Sequence, residues 1–406
     1  MKIISGNPFL KKVNGQIFLD LFPLDDLLKK YKTPILIFLE NRIRANIESF
    51  RNVFTREFKH FQFFYSLKAN FLPEICRIIS SEGIGAELNG LPELKLALKI
   101  GFPPNKIIIG GTYLFKELIE ASIKNKVKEI IIHDLNDLKK INSIAQKYDL
   151  IQKICIRVIS QKYESKLGIE LDELKIKKLM ESYKLYQNIK ITSILSHFST
   201  QMNDMNQYKR NIATILHNLK LLLFNHIKIK NINFGGGFPE ATVMPQEQLE
   251  KIAHITRILL DESKFNYKNI YFEPGRYIMG DSGLFIAKIV KIYEKRWIFL
   301  NIGNNICPKF AKCSLRFYNA SQIDKSHKYK TSIAGIVPTD QDVLAKNYFF
   351  TKQLNKGDKI MVTNTGAYCL TFSNRFPYTL PKILLIKDND VKEIFNPEID
   401  QDFSIN

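Results

Sequence analysis

A rhythm that sets in near Phe63 limits this chain more than any other feature. Short apolar runs alternate with stretches whose apolar residues recur every three or four positions. The runs are Phe63–Leu67, Ile84–Leu88, Lys106–Ile109, Glu129–Ile132, Ile154–Ile159, Ser193–His197, Ile232–Phe234 and Ile270–Phe272. Between them lie helical patterns such as Leu91–Ile100, Phe115–Asn125, Leu135–Tyr148, Leu171–Tyr186, Tyr208–Phe224 and Gln246–Asp261. Strands separated by helices run parallel, and parallel strands buried on both faces read as continuous apolar runs. Eight such units predict an α/β chain with a closed (β/α)8 TIM barrel. A doubly wound open sheet satisfies the same rhythm and stays open as the structural alternative.

After about Ser282 the rhythm changes. Leu284–Tyr293, Trp297–Ile302, Tyr329–Ile336, Lys359–Val362, Ile383–Ile386 and Val391–Ile394 read as strands with no long helical pattern between them. Turn-rich pieces such as Asn355-Lys356-Gly357-Asp358 separate them, so a mostly β C-terminal domain is expected. Ahead of the barrel, Gly15–Leu19 reads as a strand, Leu24–Tyr31 as a short helix and Pro34–Leu39 as another strand. The expected organisation is an N-terminal segment over 1–35, a barrel over 36–282 and a β domain over 283–406.

Composition removes several classes of function. No apolar run reaches the length of a membrane span, and Met1–Asn7 is too short in its apolar part for a secretory signal, so a cytoplasmic address is expected. The five cysteines are scattered and odd in number, which argues against a disulfide framework or a zinc site. No metal is expected. The net charge of +20 raises the question of nucleic acid or a membrane surface. However, the lysines are spread over helix-like segments such as Lys139-Lys140 and Lys175-Ile176-Lys177-Lys178, with no single basic stripe. Solvated helix faces explain them better, and an anionic small-molecule substrate suits the charge.

In such a barrel, chemistry sits where strands end. The first run ends at Lys68, the second near Glu87, and the fifth carries Arg157. The sixth ends in His197-Phe198-Ser199-Thr200-Gln201, the seventh in Gly235-Gly236-Gly237-Phe238 and the eighth in Glu273-Pro274-Gly275-Arg276. Each admits a bland explanation: a surface lysine, a core histidine, a plain turn, a loop-capping glutamate. Together on one rim they supply an amine, a flat ring, a carboxylate and an anion cradle. Burial of the lysine stem is expected to lower its pKa and free the amine to attack a carbonyl. Backbone N–H groups of the glycine turn, with Arg276, suit a phosphate. Pyridoxal 5'-phosphate needs such a set.

Three strings then carry a family resemblance: Tyr65-Ser66-Leu67-Lys68-Ala69-Asn70, Glu273-Pro274-Gly275-Arg276 and Gly366-Ala367-Tyr368. From about Pro34 to Leu385 the chain resembles the fold type III pyridoxal-phosphate-dependent decarboxylases, which include the diaminopimelate, ornithine and carboxynorspermidine enzymes. The resemblance implies amino acid decarboxylation on a barrel with a β domain that the N-terminal segment joins. It further implies a head-to-tail homodimer with shared active sites. By motif position it implies that Lys68 holds the cofactor covalently, His197 stacks on its ring and Glu273 pairs with the pyridine nitrogen. Thr200, Gly237, Gly275, Arg276 and Tyr368 would bind phosphate, with Gly235 and Gly236 in the same turn, while Glu87 and Arg157 support the site. Alanine racemase shares the barrel, but the sequence after Lys68-Ala69-Asn70 does not follow its pattern.

The departures concern the substrate. Family members carry a cysteine after a Gly-Pro pair that takes part in protonating the product. Here the matching stretch is Ala334-Gly335-Ile336-Val337-Pro338-Thr339-Asp340-Gln341-Asp342, with Pro338 in the cysteine's place. Thr339, Asp340 and Asp342 are therefore candidate substrate residues, as is Cys369 beside Tyr368, although an inert buried thiol explains Cys369 more simply. The arginine-proline pair of diaminopimelate enzymes is replaced by Asn305-Ile306-Cys307-Pro308-Lys309. The expected substrate is a modified amino acid with an acidic appendage, such as a citryl-amino-acid intermediate of a polycarboxylate siderophore. Diaminopimelate or an ornithine-type basic amino acid is the alternative. A catalytically inactive relative that binds a partner protein is a third reading, opposed by the intact Lys68, Glu273 and Arg276.

Overall fold

The computed structural model describes residues 1–160, 165–309 and 313–400. The chain opens with a small antiparallel sheet of β1 (Lys2–Ile4), β2 (Asn7–Val13), β3 (Gln16–Leu19) and β4 (Phe22–Pro23). Helix α1 (Leu24–Lys30) and strand β5 (Ile35–Leu39) follow, then α2 (Glu40–Glu57). Next come β6 (Phe61–Ser66), α3 (Pro73–Ser81), β7 (Gly85–Leu88), α4 (Leu91–Ile100), β8 (Ile107–Ile109), α5 (Lys116–Lys124), β9 (Glu129–Ile132) and α6 (Asp137–Lys147). The series continues with β10 (Gln152–Arg157), α7 (Glu173–Leu185), β11 (Ile189–Leu195), α8 (Met205–Phe224), β12 (Asn231–Asn233), α9 (Gln246–Ser263) and β13 (Asn269–Phe272).

Strands β6 to β13 are parallel and close on themselves, with Ile270–Phe272 of β13 in register with Phe61–Phe63 of β6. Closure rules out the open sheet. The joint between last and first strand is sealed by phenylalanine. Phe50 and Phe54 of α2 are fully buried over it, with the Phe54 ring 4.4 Å from Phe272 and the Phe50 ring 5.2 Å from Phe63. Each such ring contributes about 1.5–3 kcal/mol through burial alone. Local signals set the helix ends: Asp204 and Gln207 form a capping box at the start of α8, and Gly101, at φ 101°, ends α4.

The remaining elements are α10 (Arg276–Met279) and β14 (Gly283–Tyr293), β15 (Trp297–Leu300), β16 (Arg316–Asn319), β17 (Tyr329–Ala334), β18 (Val343–Phe350), β19 (Lys359–Thr363), β20 (Lys382–Lys387) and β21 (Asp390–Phe395). Strands β14 to β21 form one sheet together with β5, which lies between β14 (antiparallel) and β20 (parallel). A boundary at residue 36 thus cuts through β5, whose pairing is with the β sheet and not with the barrel. Its side chains explain why. All five residues are buried, and they alternate between two cores. Ile35, Ile37 and Leu39 pack with Ile4, Leu19, Leu24 and Leu27 of the N-terminal segment. Leu36 and Phe38 belong to the barrel-side core. Strands β1, β2, β4, β16 and β18 are additions to the expected list; β18 is half exposed and carries Lys346 and Asn347 mid-strand, which hides its pattern. Among the described residues no helix is long and apolar enough to cross a membrane.

Ile37 is fully buried where the N-terminal segment meets this sheet. Ile37→Ala is expected to lower the unfolding free energy by about 2–5 kcal/mol in urea melts, the usual range for such a cavity.

Candidate active site

The C-terminal ends of the barrel strands surround a cavity of about 710 Å³. Its lining includes Lys68, Glu87, Arg157, His197, Thr200, Gly236, Gly237, Glu273, Gly275, Arg276 and Tyr368. Gly235 stands just behind, where a Cβ would lie 3.1 Å from His197 Nδ1.

One group of lining residues is organised around Lys68. Strand β6 stops at Ser66 and a single 3-10 turn, Leu67–Ala69, carries the lysine to the rim. Tyr65 Oη donates to the Asn70 carbonyl at 2.9 Å, and Asn70 Nδ2 donates to the Gly366 carbonyl at 3.1 Å. Thr371 Oγ1 donates to the Lys68 carbonyl at 2.7 Å. The lysine backbone is therefore tied on both sides while its side chain opens into the cavity. Nζ lies 3.4 Å from Glu87 Oε2, the oxygen that also accepts from Ser66 Oγ.

The expected fall in the Lys68 pKa does not occur. Burial does work to lower it, but Glu87, Tyr368 and Glu273 raise it by more, against opposition from Arg157. Lys68 is held as an ammonium, with the Glu87 carboxylate as its nearest opposite charge. Glu273, which accepts from Asn233 Nδ2 at 2.8 Å, is pushed up to about 7 by burial and then by Glu87, against Lys68, Asn233 and Arg157. A cation arriving beside Glu273 would favour its carboxylate form.

A second group of lining residues is built for an anion. A Cβ on Gly236 would sit 2.4 Å from the Glu273 carbonyl, and one on Gly237, whose φ is 96°, 2.3 Å from the Ser199 carbonyl. Only glycine lets the backbone run this close to its neighbours. The N–H groups of Gly236, Gly237 and Gly275 have no acceptor among the described residues. Arg276, buried in α10, lies with its guanidinium carbon 4.8 Å from the centre of the Tyr368 ring. Tyr368 holds φ at 68° and donates its N–H to the Ala69 carbonyl at 2.6 Å, which brings the β domain to the barrel mouth. Orphan N–H donors, a guanidinium and a phenol in one group, with an amine and a carboxylate in the other, fit the phosphate, aldehyde and pyridine nitrogen of pyridoxal phosphate.

His197 packs beneath the glycine turn. Burial, then Arg157 and Lys68, pull its pKa down to about 3, so the ring is neutral. His133, Glu93 and the lining residue Lys166 were missed from sequence. His133 lines the cavity with a pKa near 4, lowered by burial and by Arg157. It directly follows the fourth apolar run, so the strand-end rule applied there would have found it. Glu93 accepts from the Asn89 N–H, and burial raises it to about 7; its place on α4 gave no such signal.

The four candidate substrate residues lie outside this lining. Asp342 is 2% exposed, and its carboxylate accepts from the N–H groups of Asn304 and Val337, both at 2.7 Å. It braces its own loop. Thr339 and Asp340 are exposed on that loop. Cys369 is buried beside Cys307, and that contact and burial hold its thiol well above the usual range, as befits an inert sulfur.

His197 is neutral when folded and takes up a proton once unfolded. Its contribution to stability is complete above pH 6.5 and is lost as the pH falls from there toward about 3. In the cofactor-free protein, the stability difference between wild type and His197→Gln is expected to shrink by about 1 kcal/mol per pH unit below 6.5, read from urea melts. Glu93 and Glu273 act in the opposite sense but cancel in this comparison.

Comparison with known proteins agrees with this geometry. The family model for the pyridoxal binding domain of pyridoxal-dependent decarboxylases matches residues 41–280. The chain is similar to diaminopimelate decarboxylase of Aquifex aeolicus, at 25% identity over 91% of this chain and 90% of that protein. It is also similar to the L-glutamyl-[BtrI acyl-carrier protein] decarboxylase of Niallia circulans, at 24% over 87% and 88%. The crystal structure of the Methanocaldococcus jannaschii diaminopimelate decarboxylase superposes with a TM-score of 0.86 at 21% identity, covering 97% of this chain and 96% of that one. With the matched segment holding the lysine, the glycine turn and the carboxylates of the cavity, the chain belongs to the pyridoxal-dependent decarboxylases, amino acid carboxy-lyases that use pyridoxal 5'-phosphate.

Proposed function

We propose that the protein decarboxylates an α-amino acid bearing an acidic appendage, a class that includes citryl-amino-acid intermediates of polycarboxylate siderophores. The observation that carries the substrate class is Lys166. Lys166 is an exposed residue that lines the cavity and has no acidic partner among the described residues. The Val158–Ile169 bridge ties down the far side of its loop. A carboxylate on the outer part of a substrate would meet it.

In this reading the residues take the roles their motif positions imply, and the geometry of the cavity supports them. Lys68 would hold the cofactor through its aldehyde, with Glu87 beside the lysine Nζ. His197, being neutral, offers a flat face to the ring without competing for charge. Glu273 keeps a proton on the pyridine nitrogen, and Arg157 balances the two carboxylates. Thr200, Gly235, Gly236, Gly237, Gly275, Arg276 and Tyr368 hold the phosphate. When bound, the cofactor draws electrons away from the substrate Cα as CO2 leaves. With Pro338 in place of the family cysteine, the Lys68 ammonium favoured by Glu87 delivers the proton to the product carbon. A head-to-tail homodimer belongs to this reading, since it would carry the exposed Thr339 and Asp340 to a partner's cavity.

Diaminopimelate or an ornithine-type amino acid is the second reading, favoured by the names of the relatives. CO2 release from citryl-ornithine and citryl-diaminopropionate, measured beside meso-diaminopimelate and ornithine, separates the two. Turnover of the citryl compounds, with the free amino acids at least about tenfold slower, is expected. Turnover of free amino acids alone would sink the acidic class. Lys68→Ala is expected to abolish the yellow colour and lower CO2 release by about 10²-fold or more.

A further inference from the structure

The segment that supplies the glycine turn continues through Phe238 and Pro239 to Glu240, a residue that the roles above leave unused. Glu240 is 0% exposed, and its Oε1 lies 3.3 Å from Arg276 Nη1. The fold makes room for it. A Cβ on Gly280 would lie 2.3 Å from Glu240 Cγ, so the short α10 must end in glycine for the carboxylate to sit beneath Arg276. The neighbouring acid, Asp281, is already matched by Arg42 at 2.6 Å and by the N–H of Thr242 at 3.0 Å. Glu240 therefore answers Arg276.

A buried guanidinium without a counter-ion is costly, and a buried carboxylate equally so. Pairing them keeps Arg276 in place before any phosphate arrives. It also means that an arriving phosphate shares the guanidinium with an acid already bound to it. We propose that Glu240 is a positioning residue of the cofactor site: it is the internal counter-ion that aims Arg276 at the glycine cradle and, by competing for it, sets how firmly the cofactor phosphate is held. The inference rests on the placement of the phosphate at Gly236, Gly237, Gly275 and Arg276 given above.

Glu240→Gln keeps the shape and an acceptor oxygen but removes the charge. It is expected to bind pyridoxal phosphate about tenfold more tightly in equilibrium dialysis. It should also shift the ³¹P resonance of the bound phosphate and melt at a lower temperature than wild type without cofactor. Glu240→Asp, which restores the charge, is expected to return the resonance toward wild type. Should Glu240→Gln not fold, Gly280→Ala, whose Cβ would press on Glu240 Cγ and on Arg276 Cγ, disturbs the same pair, and a shifted ³¹P resonance is again expected. Unchanged affinity and an unchanged resonance in Glu240→Gln, with wild type binding the cofactor normally, would overturn the role of Glu240. So would weaker binding by the isosteric variant. A wild type that binds the cofactor with its phosphate resonance as in free solution would overturn the phosphate placement itself.

Discussion

The site depends on a balance among four charges at the mouth of an apolar barrel. Lys68 and Arg157 face Glu87 and Glu273 in a cavity whose walls are largely hydrocarbon. Ions in such a place are tolerable when each has an opposite neighbour. The balance also decides chemistry. It reverses the effect of burial on the lysine, while burial itself raises Glu273 to about 7 and keeps both His133 and His197 uncharged, with Glu87 adding to the first and Arg157 and Lys68 to the other two. A cofactor that brings a pyridine nitrogen and an aldehyde enters a site whose protons can be redistributed over short distances.

The eight parallel strand–helix units were legible from apolar runs alternating with helical patterns, whereas closure was not, because an open sheet satisfies the same rhythm. The strand ends were legible too: a polar residue that interrupts a buried run has to face an opening. Lys68, His197 and Glu273 all follow that rule, and so does His133. What periodicity could not reveal was partnership. Pro34–Leu39 reads as a buried strand, but nothing in five consecutive apolar residues says which sheet they complete. The sign of the Lys68 shift was hidden too, because Glu87 is distant in sequence and adjacent only in space.

The substrate side behaves differently. Asp342, placed by family position, spends its carboxylate on the N–H groups of Asn304 and Val337, so in one chain it serves the loop and not the cavity. Sequence distance from the cofactor motifs and spatial distance from the cofactor cavity agree here. Lys166, which the proposed substrate class would meet, lies on a loop, where composition carries little periodic signal.

Strand β5 is the neighbour of β14, yet the entire barrel is threaded between them. The barrel is thus an insertion whose two ends leave and re-enter adjacent strands, about 5 Å apart. During synthesis β5 emerges early, with its five apolar residues lacking both edges, and waits for β14 and for β20, which comes near the end of the chain. The terminal sheet is therefore the last part to assemble, and its completion locks Tyr368 over the barrel mouth. Excising the barrel alone would keep the cradle and the lysine but lose that clasp.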